Sequence, residues 1–248
     1  MNGARPRGPK AAVARYLSSV FETSEDECKL TILDAVAADP PRERLLDLGC
    51  FNGAFTADLA KAAQATQVVG VEWLPQHAAE ARRRGVDVAE TDLNDPLPFP
   101  DDAFDLVHAN QVIEHVRGTD NFLREVARVC APGGRVLLAT NNMSSWHNVA
   151  SLALGFQPFP NHVSDEFHVG NPLDPRRGLM HADIGQTHVR VFTIRALKEL
   201  AAVHGLETTS TYVSGYYPLR RRLARGAARV DPRHAAFMIV ALAPAESH

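Results

Sequence analysis

The sequence predicts an α/β fold, a mostly parallel sheet with helices on both faces. Three observations predict it. Strand-length apolar runs alternate with helical segments through the middle of the chain. Glycine and proline punctuate the segment ends. The first of the runs ends on an acid and breaks into a loop with two glycines before a helix, in "LLDLGCFNG". A chain of 248 residues suits one large domain with a substantial core.

The elements follow in order. Residues 1–9 carry Pro, Gly and Arg without an apolar period and read as a mobile tail. Residues 10–41 read as N-terminal helices. There "SEDE", from Ser24, fits a capping box that opens a second helix, and Pro40 and Pro41 end it. "RLLDL" is strand-like, "AFTADLAKAAQ" helical, "QVVGVE" a β-branched strand, and "LPQHAAEARRRG" a helix stopped by Gly85. "VDVAE" and "FDLVHAN" are strands. "TDNFLREVARVCAPGG" is a helix closed by Pro132 and Gly133, and "RVLLAT" is a strand.

Residues 141–191 break the rhythm, being rich in Pro, Asn, Gly and His without a long periodic segment. An irregular insertion of this length is functional or disordered. "TIRALKELAAVHG" restores a helix, with Thr193 as N-cap and Gly205 as stop, and "LETTSTYV" and "AAFMIVALA" read as closing strands. Residues 10–248 therefore form one domain: helices over 10–41, a ligand-binding core over 42–140, an insertion over 141–191, and a closing helix and strands over 192–248.

Composition excludes some classes. The chain is 45% hydrophobic and 22% charged, with a formal net charge of -3, which argues against a globally basic nucleic-acid binder. No apolar run has the length of a membrane span, and "MNGARPRGPK" is not followed by a signal-peptide core. Cys28, Cys50 and Cys130 are odd in number and lack CxxC spacing, so a reduced cytoplasmic protein is expected.

In an open parallel sheet, ligands sit at the carboxyl ends of the strands. Asp47, Gly49 and Gly53 lie at the first such end, with Cys50, Phe51 and Asn52 between the glycines. A dinucleotide loop, G-x-G-x-x-G, lets a pyrophosphate approach a helix N-terminus. Two of its glycines are missing here, so a nucleoside ligand without a diphosphate fits better. Glu72 ends the second strand at the spacing of a ribose-binding acid, and Trp73 beside it offers an aromatic face. Asp92 accepts from an exocyclic amine while the Leu93 N–H donates to a ring nitrogen, a pairing that reads adenine. Asn110 and Gln111 end the fourth strand, where an amino-acid tail or the substrate would lie. Asp105 reads as structural and Cys50 as a buried small residue.

In these residues and their spacing the chain resembles the class I S-adenosylmethionine-dependent methyltransferases. "LLDLGCFNGAFT" resembles the family's D-x-G-x-G-x-G motif, "VVGVEW" its ribose-binding strand end, and "ETDLNDPLPFPDDAFDLVHANQVIEHV" its adenine-binding turn and fourth strand. "FLREVARVCAPGGRVLLAT" resembles the helix and strand that follow. The match covers residues 44–140 in order. It implies S-adenosyl-L-methionine as cofactor and a three-layer, Rossmann-like, seven-stranded sheet whose last strand is antiparallel. Phe51 departs from the motif at its middle glycine. Either a side chain sits there at positive φ and is strained, or the loop runs differently and Phe51 packs beside the ligand.

The expected activity is methylation of a small or medium-sized acceptor at oxygen, a hydroxylated, sugar-like or lipid-linked molecule. Residues 141–191, with Trp146, Phe156, Phe159 and Phe167, and the N-terminal helices would form its side of the pocket. His147 in "NNMSSWHN" follows the fifth strand and is the candidate general base. The histidines between His162 and His188 match no tight ligand spacing, so no metal is expected and a solvated loop is read. "LRRRLARGAARVDPR" reads as a solvated basic helix, with peripheral membrane contact as the alternative. Nucleic-acid methylation is a competing reading. Against it stand "ANQVIEH" in place of N/D-P-P-Y/F and the missing Pro-Cys pair, and no nucleic-acid partner is expected. A cofactor-binding protein without turnover is the third reading. Oligomeric state is not legible.

Overall fold

The computed structural model describes residues 9–181 and 187–245, so residues 1–8 of the expected tail lie outside the described residues. Helix α1 (Pro9–Ala37) precedes β1 (Arg44–Leu48), α2 (Ala54–Ala63), β2 (Gln67–Val71), α3 (Pro75–Arg83), β3 (Asp87–Ala89) and β4 (Phe104–Asn110). Then follow α4 (Thr119–Val129), β5 (Cys130–Asn141), α5 (Trp146–Ala153), α6 (Ile194–Val203), β6 (Leu206–Ser214), α7 (Arg221–Val230) and β7 (Phe237–Pro244).

The strands form one seven-stranded sheet in the order β3-β2-β1-β4-β5-β7-β6. The first five are parallel, and β7 runs antiparallel between β5 and β6. This is the three-layer architecture the sequence predicts, with the last strand reversed. Adjacent residues of β1 serve opposite faces. Leu46 and Leu48 join Val107, Phe122, Val126 and Leu197 in one core, and Leu45 joins Ile32, Leu59, Leu137 and Ile239 in the other. A strand covered on both sides has to be apolar at successive positions. The strand order reverses at β1 and β4, so their carboxyl ends flank the crevice where such sheets bind ligands.

Three expectations change. The N-terminal segment is one helix rather than two. Val20, Ser24, Cys28, Ile32 and Val36 are all buried, and their four-residue spacing makes a continuous stripe. Ser24 lies within that stripe, 2% exposed, against Gly215, and does not cap a helix start. Helix α4 stops at Val129, where Cys130 is already extended with ψ 121, so "CAPGG" belongs to β5. The irregular stretch holds helix α5, whose eight residues are too few to show a period.

Thr193 caps α6 as expected, its hydroxyl accepting from the Ala196 N–H at 3.2 Å. Asp105 is structural, paired with the Arg44 guanidinium, which holds its carboxyl below the usual range. Helix α7 buries Ala224 and Ala228 and leaves Leu223 and Val230 exposed. The three cysteines are free and buried. Among the described residues, no helix is long and apolar enough to cross a membrane.

Candidate functional site

The loop from β1 to α2 requires its glycines. Gly49 has φ +72, and a Cβ there would lie 2.6 Å from Val112 Cγ2. Gly53 has φ +76, and its Cβ would lie 2.8 Å from the Ala81 backbone of α3. The N–H groups of Gly49 and Cys50 both donate to the Val71 carbonyl, at 2.9 and 3.0 Å, which fastens the loop to β2. Asn52 Oδ1 accepts from the Ala54 N–H at 3.1 Å, in the first turn of α2. Cys50 packs into the space left by Gly70, and burial pushes its thiol up to about 12, so it is no nucleophile near neutrality.

Phe51 sits at φ 48, the left-handed conformation that the motif's glycine would adopt freely. Its ring is 52% exposed and lies 4.1 Å, centroid to centroid, from His77 of α3. A side chain at this φ costs about 1–2 kcal/mol. The ring contact returns about 0.5–1.5 kcal/mol. Phe51→Gly therefore shifts stability by less than about 1 kcal/mol in urea unfolding, because the two effects oppose each other. A loss above about 2 kcal/mol would mean that the ring supports far more than His77.

Glu72 lies just past β2 and is 7% exposed. Its Oε2 accepts from the Phe51 N–H at 3.1 Å and its Oε1 from the Leu74 N–H at 2.9 Å. One carboxylate thus ties the glycine loop to the β2 tip and retains acceptor capacity for hydroxyl donors. Trp73 beside it is 47% exposed. Asp92 is exposed three residues beyond the end of β3, with Oδ1 accepting from the Asn94 N–H at 2.9 Å in an Asx turn. Leu93 next to it is half-buried against the core.

Asp47 departs from the sequence reading, which expected its carboxylate at the ligand. It is 3% exposed and turned into the protein. Oδ2 accepts from Thr56 Oγ1 at 2.5 Å, and Oδ1 lies 2.7 Å from His108 Nδ1. Its role is to hold the start of α2 against β4. Sequence reasoning missed Thr56 and His108. A signal existed for the latter, since Asp47 and His108 are register partners on adjacent strands.

At the β4 tip, Gln111 adopts φ 56 and its N–H donates to the Ala139 carbonyl at 2.8 Å. Asn110 Oδ1 and Gln111 Nε2 are buried, with no partner among the described residues. An orphaned acceptor and an orphaned donor on successive residues fit a zwitterionic ligand end, the ammonium on one and the carboxylate on the other. Asn141 Nδ2, which sequence reasoning missed, donates to Gln111 Oε1 at 2.7 Å and lies 3.5 Å from Glu114 Oε1. Glu114 is fully buried, and desolvation pushes its carboxyl up to about 7.

His147 lies in the first turn of α5 between the rings of Tyr217, at 4.4 Å, and Phe159, at 5.8 Å. Burial alone lowers it to about 3, so it is neutral at physiological pH. Its folded value lies below the unfolded one, and the unfolded chain binds the extra proton. Stability is full above about 6.5 and falls as pH drops towards about 3. His147→Gln flattens that slope in acid titrations followed by circular dichroism, and an unchanged slope would contradict this burial.

The histidines of the irregular stretch are not separately solvated, as the sequence reading expected. His162 lies 5.2 Å from His168, 4.7 Å from His181 and 4.5 Å from His188 between ring centroids, and His115 lies 4.8 Å from His188. The spacing in the sequence hid this because the chain folds back on itself.

A family model described as a methyltransferase domain matches residues 20–211, most of the chain. The malonyl-[acyl-carrier protein] O-methyltransferase of Halorhodospira halophila is 32% identical, over 66% of this chain and 57% of its own. The ubiquinone/menaquinone biosynthesis C-methyltransferase of Desulfotalea psychrophila is 30% identical, over 50% of this chain and 53% of its own. The chain spans about a third to three fifths of the length of the first curated relatives it matches. Among solved structures, a chain from the complex of the Haloferax volcanii Trm112 methyltransferase activator with a methyltransferase superposes with TM-score 0.62. The identity is 16%, covering 96% of both chains. The Haemonchus contortus phosphoethanolamine N-methyltransferase 2, in complex with S-adenosyl-L-methionine, gives 0.57 at 16% identity, over 89% of this chain and 53% of its own.

Proposed function

Because this chain belongs to the class I S-adenosylmethionine-dependent methyltransferase family, we propose that it methylates a small or medium-sized acceptor, at an oxygen atom. The observation that carries the cofactor half is the Glu72 carboxylate clasping the glycine loop at the β2 tip, with the orphaned polar atoms of Asn110 and Gln111 at the β4 tip on the other side of β1. S-adenosyl-L-methionine, when bound, supplies an electrophilic methyl group on a sulfonium.

The residues divide the remaining work. Gly49 and Gly53 keep the loop free of Cβ atoms. Glu72 accepts ribose hydroxyls in charge-assisted hydrogen bonds. Asp92 and the Leu93 N–H read the adenine edge, with Trp73 as an aromatic wall. Asn110 and Gln111 take the amino-acid end. Asp47 and Cys50 act from behind, fixing the loop that Phe51 and Asn52 complete. An in-line displacement asks the protein chiefly for alignment and close approach. Transfer to a hydroxyl oxygen also releases a proton, and the neutral imidazole of His147, packed between rings on the acceptor side, is the base assigned to take it.

The acceptor side draws on residues 141–181 and 187–191. Trp146 is 47% exposed and Phe167 39% exposed, which suits a partly apolar, hydroxylated ligand with sugar or lipid character. The test is incubation with labelled S-adenosyl-L-methionine and cell extract, beside calorimetry with the cofactor alone. Label in a non-protein, alkali-stable product supports the reading. Absence of cofactor binding overturns it.

A further inference from the structure

We propose that Glu114, His115 and His188 form a binding site for one divalent transition-metal ion. One donor atom from each lies within 4.8 Å of the others. Glu114 is fully buried, and its Oε2 has no hydrogen-bond partner among the described residues. A buried carboxyl in that position keeps its negative charge only with a cation beside it.

The His188 tautomer agrees. His188 Nδ1 lies 2.7 Å from the Pro160 carbonyl, and His115 Nδ1 lies 3.2 Å from that of Thr187. A carbonyl only accepts, so the His188 Nδ1 carries the proton and its Nε2 carries the lone pair. Metal-ligating histidines are oriented by such a hydrogen bond. The neighbouring trio His162, His168 and His181 also gathers its nitrogens. However, His162 Nδ1 accepts from the His188 N–H at 3.1 Å, which leaves the proton on its Nε2. That nitrogen cannot be a ligand without a further deprotonation, so the trio is the poorer site. His162 instead stacks on His188 with 21° between the ring planes.

The two segments that carry the ligands are joined directly. The Glu114 carbonyl accepts from the N–H groups of Val189, at 2.7 Å, and Arg190, at 3.2 Å. The two segments are therefore held together before an ion arrives, and the donor atoms draw closer on binding. One carboxylate and two imidazoles suit zinc, iron(II), cobalt or manganese and leave coordination positions open. Asn141 bridges Glu114 to Gln111 at the β4 tip, so the open positions are assigned to an oxygen donor of the acceptor. That last assignment rests on the methyl-transfer reading. Binding of the ion does not.

The test uses the full chain, stripped with a chelator and titrated with zinc and cobalt chlorides by calorimetry. One ion per chain is expected. Glu114→Gln and His188→Asn each weaken binding about 100-fold or more, and His168→Ala changes it by less than about 10-fold. X-ray absorption at the zinc edge of the unaltered protein needs no variant, and two imidazole ligands are expected there. No stoichiometric ion, three or more imidazoles, or binding that survives Glu114→Gln and His188→Asn overturns the site. Cofactor binding is measured on the same samples. An ion bound without cofactor overturns the methyl-transfer reading and leaves the site standing. Cofactor bound without an ion does the reverse.

Discussion

Glu72→Gln weakens S-adenosyl-L-methionine binding about 100-fold, measured by calorimetry on the folded variant. Two effects add. The carboxylate accepts from the Phe51 and Leu74 N–H groups, and an amide in its place presents an NH2 to one of those donors. It also exchanges charge-assisted hydrogen bonds to ribose hydroxyls, worth about 1.5–3 kcal/mol each, for neutral ones. A net loss of about 2.7 kcal/mol is a hundredfold in affinity. An affinity within about threefold of the parent would mean that Glu72 only ties the loop together, and the assignment of the β2 tip would fail.

Asp47→Ala lowers stability by about 3–5 kcal/mol, because it leaves two buried hydrogen-bond partners unpaired, at about 1–3 kcal/mol each. The remaining His108 is 1% exposed, and its Nε2 already lacks a partner among the described residues. Without Asp47, its Nδ1 also loses its acceptor, and so does the Thr56 hydroxyl. For a chain of this size, each kcal/mol moves the thermal midpoint by roughly 2–4 °C, so a fall of about 6–20 °C is expected in calorimetry. A double-mutant cycle with His108→Ala isolates the pair. Additive single effects would show that the two side chains are stabilised separately.

The sheet was legible because strand and helix periods differ and each strand–helix boundary carries its own punctuation. The loop glycines were legible because positive φ selects them. The direction of Asp47 was not. A strand end puts a side chain on one face or the other, and only the neighbouring His108 decides that this carboxylate turns inward. The break expected at Ser24 looked local, but the four-residue stripe from Val20 to Val36 overrides a capping signal once the sheet packs against it. Nor was the histidine cluster readable. His115 and His188 meet across an irregular stretch whose path no periodicity describes.

The Asp47–His108 contact has a consequence for how this scaffold tolerates change. It aligns the two innermost strands below the crevice, so the relative height of their tips is set underneath the loops. Mutational drift in those loops can then proceed without moving the halves of the crevice apart. A phenylalanine at φ 48 in the middle of the glycine loop is the kind of change such an anchor permits.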